Sequence, residues 1–169
     1  MRSLTKELFD GCDTAVADFS DSLVVAQSAV LYANNLGRLK KSHHAGCLFN
    51  RKQACFPAVQ VSFDDAGMLH GEFVADKEYQ GYDGMVHGGV LSGMIDACMA
   101  QCLMGHGMTG YTIDLAIKYR RPVALGEAAS LAVKITDVNI GILYSMKCEI
   151  VQNKRLAVQA TGRFCKFES

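Results

Sequence analysis

The sequence predicts an α+β domain in which a curved antiparallel sheet of about six strands wraps one long central helix. Two observations predict it. The first is the stretch Gly84 to Gly107, where Val90, Leu91, Met94, Ile95, Met99, Cys102 and Leu103 fall on every side of a helix expected at about 88–104. A helix that is apolar all round is enclosed by its own domain. At about 1.5 Å per residue it is only about 25 Å long, too short and too polar for a membrane span. The second observation is strand-like alternation on both sides of that helix, the pattern of a sheet that curls round it.

Taken in order, residues 1–41 form a segment of their own. Leu4, Leu8, Phe9, Val16, Phe19, Leu23, Val24, Val30, Leu31 and Leu36 recur at helical intervals. They predict one or two amphipathic helices, ending near Asn34-Asn35 or Gly37 and the basic Arg38-Lys40-Lys41. The main domain is expected over 42–169. His43, His44, Cys47 and Cys55 are zinc ligands by type, but no pair among them has a zinc-ribbon spacing, so no metal is expected. Residues 56–63 and 68–75 read as two strands joined by a hairpin at Asp64-Asp65-Ala66-Gly67. After a glycine-punctuated loop at 80–86 and the helix come four more strands, at 111–120, 128–138, 142–152 and 156–167. Their breaks fall at Pro122 and Gly126, at Asn139-Ile140-Gly141 and at Asn153-Lys154.

Composition bounds the function. The 169 residues are 50% hydrophobic with only two prolines, which suits one well-buried domain. Seventeen basic and seventeen acidic side chains cancel, leaving no electrostatic footprint for nucleic acid or an anionic membrane. Seven cysteines, an odd number without a C-x-x-C pair, read as reduced thiols. With no apolar run of signal-peptide type at the N-terminus, the expected location is cytoplasmic.

Within the helix, Asp96 is the residue that demands a reason, because desolvating a carboxylate is costly. It is either a polar group satisfied by a neighbour or a catalytic base or nucleophile in a dry site. The helix start favours chemistry. Its first amides have no intrahelical acceptor and carry the positive end of the helix dipole, and Gly88 and Gly89 let a ligand approach. An amide aimed at an oxyanion, with a carboxylate to deliver or replace water, is what ester or thioester hydrolysis requires. Gly88 and Asp96 lie about 12 Å apart along one helix, whereas reacting groups must meet within roughly 3–3.5 Å. If the two cooperate, Asp96 must come from a second copy of the chain, in a two-fold homodimer.

The run Gln80-Gly81-Tyr82-Asp83-Gly84-Met85-Val86-His87-Gly88-Gly89, then Asp96, then Thr112 to Pro122 (TIDLAIKYRRP), resembles the hotdog-fold acyl-CoA thioesterases of the phenylacetyl-CoA and 4-hydroxybenzoyl-CoA type. The resemblance covers roughly residues 45–167. It implies the hotdog fold, dimers that often pair into tetramers, and hydrolysis of an acyl- or aryl-CoA with no cofactor beyond the coenzyme A of the substrate. By that resemblance Asp96 is general base or nucleophile, and the Gly88 amide polarises the thioester oxygen while Gly89 permits close approach. Thr112 matches the residue that helps hold the attacking water. On a regular strand it shares a side with Asp114, Ala116 and Lys118, while Ile113, Leu115, Ile117 and Tyr119 form the apolar set. Gln80 stands where relatives carry a second donor to the carbonyl, and His87 is either a structural residue or a proton carrier. Lys118, Arg120 and Arg121 are candidate contacts to coenzyme A phosphates, and Tyr82, Met85, Leu91, Met94 and Met99 are candidates for lining an acyl pocket. Two other readings compete: a hotdog dehydratase or hydratase, which uses a His paired with an acid in a different local pattern, and a non-catalytic acyl-CoA-binding or sensing module.

Overall fold

The structure is a computed structural model and describes residues 28–50, 56–139 and 141–167. The expected helices before residue 28, and Cys12 and Cys55, lie outside the described residues. In chain order the elements are α1 (Ala29–His43), β1 (Gln60–Phe63), β2 (Leu69–Val74), α2 (Gly88–Gly105), β3 (Gly110–Tyr119), β4 (Ala128–Asn139), β5 (Leu143–Gln152) and β6 (Arg155–Lys166), with short 3-10 turns at Leu48–Asn50 and Lys77–Tyr79.

The six strands form one antiparallel sheet in the order β1-β2-β4-β5-β6-β3, so β3, which follows the helix, closes one edge. Inward-facing Leu69, Phe73, Leu131, Val133, Met146, Cys148, Ile150, Val158, Ala160 and Phe164 are buried against Leu91, Met94, Ile95, Cys98, Met99, Cys102 and Leu103 of α2. Each large apolar side chain buried this way contributes about 1.5–3 kcal/mol. This is the hotdog fold, a sheet curved round a long helix.

The sheet is entered as expected, through a tight hairpin. Asp64 Oδ1 accepts from the N–H groups of Ala66 and Met68, and Gly67 takes the left-handed φ of +78° that glycine adopts without strain. The first strand is shorter than the predicted 56–63. Residues 56–59, which include Pro57 with its missing N–H, stay outside the ladder.

The N-terminal helix also differs from expectation, running through Asn34, Asn35 and Gly37 to His43. Tertiary contacts carry it past those stop signals. Tyr32, Leu36 and Leu39 are buried, Tyr32 stacks on Phe63 with ring centroids 5.5 Å apart, and Asn35 Nδ2 donates to the Gly105 carbonyl at 3.1 Å. Its first amide is capped from a distance, Ala29 N–H donating to Asp65 Oδ1 at 3.0 Å.

A third correction concerns α2, which is not enclosed on every side. Ser92, Gly93, Asp96, Ala97, Ala100 and Gln101 form a half-buried stripe along it. Asp96 therefore sits at a boundary where a carboxylate retains access to water. Among the described residues no helix is long and apolar enough to cross a membrane.

Candidate active site

Asp96 has a single side-chain partner among the described residues. Thr112, on β3, donates its hydroxyl hydrogen to Asp96 Oδ1 at 2.6 Å. A β-bulge makes this bond. The β3–β6 register shifts between Thr112 and Asp114, so Ile113 is extra and the alternation reverses across it. Thr112 opposes the buried Phe164 and faces α2 with Leu115 and Ile117, while Asp114 opposes Arg163 on the outer face and pairs with it. The regular-strand expectation that Thr112 shares a side with Asp114, Ala116 and Lys118 is thus corrected, and Ile113 leaves the apolar set for solvent. Oδ1 of the carboxylate is fixed by Thr112, and Oδ2 remains for a water or a carbonyl carbon.

The start of α2 is a separate place. His87 is the N-cap, and its Nδ1 accepts from the Gly89 N–H at 2.9 Å, which leaves the proton of the neutral ring on Nε2. The Gly89 amide is therefore occupied locally. Among the described residues nothing accepts from the Gly88 N–H, the next amide at the positive end of the helix. The opposite side of Gly88 is held by Tyr119, whose hydroxyl donates to the Gly88 carbonyl at 2.9 Å. Sequence reasoning gave Tyr119 only an apolar role; its place at the strand end just before Arg120-Arg121 was the available signal.

His87 and Gly88 line an open cavity of about 580 Å³ together with Tyr82, Met85, Tyr119, Arg120 and Arg121. That volume lies within the range of small-molecule sites. Tyr82 and Met85 are exposed there, as a docking surface requires. Arg120 and Arg121 stand at its rim, each anchored by one guanidinium nitrogen, Arg120 to Gln159 Oε1 and Arg121 to the Leu156 carbonyl. Their remaining N–H groups can meet an anion.

Other expected residues fall elsewhere. Met99 is fully buried in the core, with its sulfur packed over Gly162. Lys118 is exposed on β3 away from the cavity. Gln80 turns back into its own loop, its Oε1 accepting from the Gly84 N–H at 3.4 Å. Asp96 lines a different and smaller cavity of about 130 Å³. One chain thus holds an amide donor and a carboxylate in two separate recesses along one helix. No group of three or more metal-ligating side chains occurs among the described residues.

A half-buried carboxylate oriented by a threonine, on a helix whose first amide opens to a cavity, thus sits inside a hotdog sheet. The comparisons place it further. Residues 83–139 match the family model of the thioesterase superfamily. Acyl-coenzyme A thioesterase THEM4 of Bos taurus is 32% identical over 91 residues, which are 53% of this chain and 37% of that protein. A solved thioesterase superfamily protein shares 27% identity with a TM-score of 0.63, covering 68% of this chain and 58% of the other. The Escherichia coli PaaI protein from the phenylacetic acid degradation operon superposes with a TM-score of 0.67 at 13% identity, over 83% of this chain and 96% of that one. This chain therefore spans well under two thirds of the length of the first two. The likeness to the hotdog-fold thioesterase superfamily carried by Gln80–Gly89, Asp96 and Thr112–Pro122 stands.

Proposed function

We propose that the chain is an acyl-CoA thioesterase whose site is completed across a homodimer, the Gly88 amide from one protomer and Asp96 from its partner. The observation that carries the reading is the 2.6 Å bond from Thr112 to Asp96, which aims a solvent-accessible carboxylate. A carboxylate serving only as a satisfied polar group needs no bulge to bring it a donor.

In the reaction the thioester carbonyl oxygen takes the Gly88 N–H, where the helix dipole favours the developing negative charge. Either Asp96 removes a proton from water as the water oxygen bonds to the carbonyl carbon, or its Oδ2 attacks that carbon and water later cleaves the anhydride. In both routes the carbon–sulfur bond breaks, coenzyme A leaves as the thiol, and the acid is released. Arg120 and Arg121 offer planar donors to the phosphates of coenzyme A. Dimer formation is supported by β3, a ten-residue edge strand with Tyr111, Ile113 and Tyr119 exposed, since an unpaired edge is a template for a second copy. Pairing of two such dimers gives a tetramer. All five cysteines among the described residues are free, in keeping with a reducing, cytoplasmic setting.

Two variants test the shared site. Asp96→Ala removes the carboxylate. Gly88→Pro removes the amide hydrogen while keeping the helix, because proline is tolerated at the first helical position and His87 already has the extended backbone (φ −62°, ψ 132°) preferred before proline. Each variant alone is expected to lose thiol release from acyl-CoAs. Mixed, they form heterodimers with one intact site, and activity should return to about half of wild type per heterodimer, by the order-of-magnitude expectation that one of two sites works. Full activity in Asp96→Ala, or no recovery in verified heterodimers, overturns respectively the role of Asp96 and the sharing. One turnover in ¹⁸O-water identifies an anhydride opened at the Asp96 carbonyl, since only then does label enter the Asp96 carboxylate while the released acid takes none.

A further inference from the structure

The small cavity beside Asp96 has a composition that the hydrolysis itself does not use. Asp96, Gln101 and the apolar Ala97, Ala100 and Met104 form its α2 wall, Lys40 and His44 come from the end of α1, and Cys47 and Phe49 come from the turn that follows. Four of the nine lining residues therefore belong to the segment preceding the sheet. Phe49 is braced by Phe56, their ring centroids 4.1 Å apart, and both rings lie over Gly93.

The size of the space limits what enters it. With about 30 Å³ per water-sized group, 130 Å³ holds roughly four non-hydrogen atoms. A long alkyl chain extends beyond it.

Its chemistry is more selective still. Gln101 Oε1 is fully buried and has no hydrogen-bond partner among the described residues, and a buried orphan acceptor calls for a missing donor. The Lys40 ammonium is partly desolvated, which lowers its pKa against the opposing pull of the Cys98 and Cys47 sulfurs, and an ammonium has only protons to donate. One group wants a proton donor and the other an acceptor. A hydroxyl supplies both at once. A methyl leaves both unmet, and a carboxylate brings no proton to Gln101 while adding negative charge beside Asp96.

We propose that this cavity receives the acyl group, and that Lys40, Gln101 and Phe49 select short acyl thioesters bearing a hydroxyl. The proposal rests on the thioesterase reading and adds to it the class of substrate. It also gives the segment before the sheet a role, closing the end of the acyl site.

The test uses the full chain with 3-hydroxybutyryl-CoA and 3-methylbutyryl-CoA, which differ only by hydroxyl for methyl at one carbon, and octanoyl-CoA for length. Wild type is expected to favour the hydroxylated substrate by about tenfold in kcat/KM, the typical value of one well-made buried hydrogen bond. Gln101→Leu should erase or invert that ratio. Phe49→Ala should raise the rate on octanoyl-CoA relative to the short substrates. Equal rates on the two short substrates, unchanged in Gln101→Leu, overturn the proposal. A second readout does not depend on turnover: alkylation of Cys47 by iodoacetamide, followed by peptide mass. A non-hydrolysable thioether analogue of 3-hydroxybutyryl-CoA should slow it several-fold, and coenzyme A alone should not. Protection without hydrolysis of any thioester keeps the cavity assignment and removes the hydrolase reading. Hydrolysis with no protection keeps the hydrolase and removes the assignment.

Discussion

Replacing Thr112 by valine isolates the contact on which the site geometry depends. Valine keeps the volume and the β-branch, so the strand and its packing against α2 survive, and only the hydroxyl that donates to Asp96 at 2.6 Å is lost. A hydrogen bond to a charged group contributes about 1.5–3 kcal/mol. If that energy holds the carboxylate in its reactive orientation, then at about 1.4 kcal/mol per decade the loss in kcat is roughly 10- to 100-fold. Asp96 is only half-buried, so water replaces the missing donor in the resting protein and the melting temperature should move little. The assay is thiol release under saturating acyl-CoA, with a thermal melt on the same preparation. Thr112→Ser should retain most of the wild-type rate. A Thr112→Val protein that turns over within twofold of wild type refutes the positioning role and leaves Thr112 an ordinary strand residue.

Further outcomes follow from the packing and from the titrating groups. A Cβ at residue 105 would stand 2.2 Å from Phe63 Cζ, so Gly105→Ala should lower Tm by roughly 3–10 °C through overpacking; an unchanged melt, by calorimetry, refutes the contact. Burial lowers the pKa of His106, although the hydrogen bond with the Gly67 carbonyl opposes that shift. The neutral ring then contributes stability that is present above about pH 6.5 and lost as pH falls through the folded value, because the unfolded chain takes up the proton first. Urea titrations should show that acid-side loss, and His106→Gln should flatten it. Burial pushes the Cys98 and Cys102 thiols up to about 12, so both should resist iodoacetamide at pH 8 in the native protein while Cys47 reacts, as peptide masses would show.

The fold was legible because its signals are local and repeated. Alternation placed all of β3 to β6 to within about a residue, and the apolar run of α2 gave a helix expected at 88–104 and found as Gly88–Gly105. The errors arose where a distant contact overrules a local preference. Asn34, Asn35 and Gly37 are helix stops by residue type, yet α1 continues because Tyr32, Leu36 and Leu39 on its inner face bury against the core and Asn35 bonds the end of α2. Met99 looks like a pocket residue by chemistry, but the glycine at 162 lets the sheet come so close that its sulfur is core.

The site shows the same division more sharply. Asp96 stood out because a carboxylate in an apolar helix is rare, and Gly88 because a helix start offers free amides. Neither signal says how the carboxylate is held. A period of two puts Thr112 on the outer face with Asp114, and only the extra residue Ile113 turns it inward to Asp96. The bulge also lets Asp114 keep its outward pairing with Arg163, so one irregularity serves both faces of the edge strand. Without it, the strand would present either Thr112 to Asp96 or Asp114 to Arg163, but not both. The Thr112–Asp96 bond on which the proposed site rests therefore depends on Ile113, at a position that hydropathy alone assigns to the core.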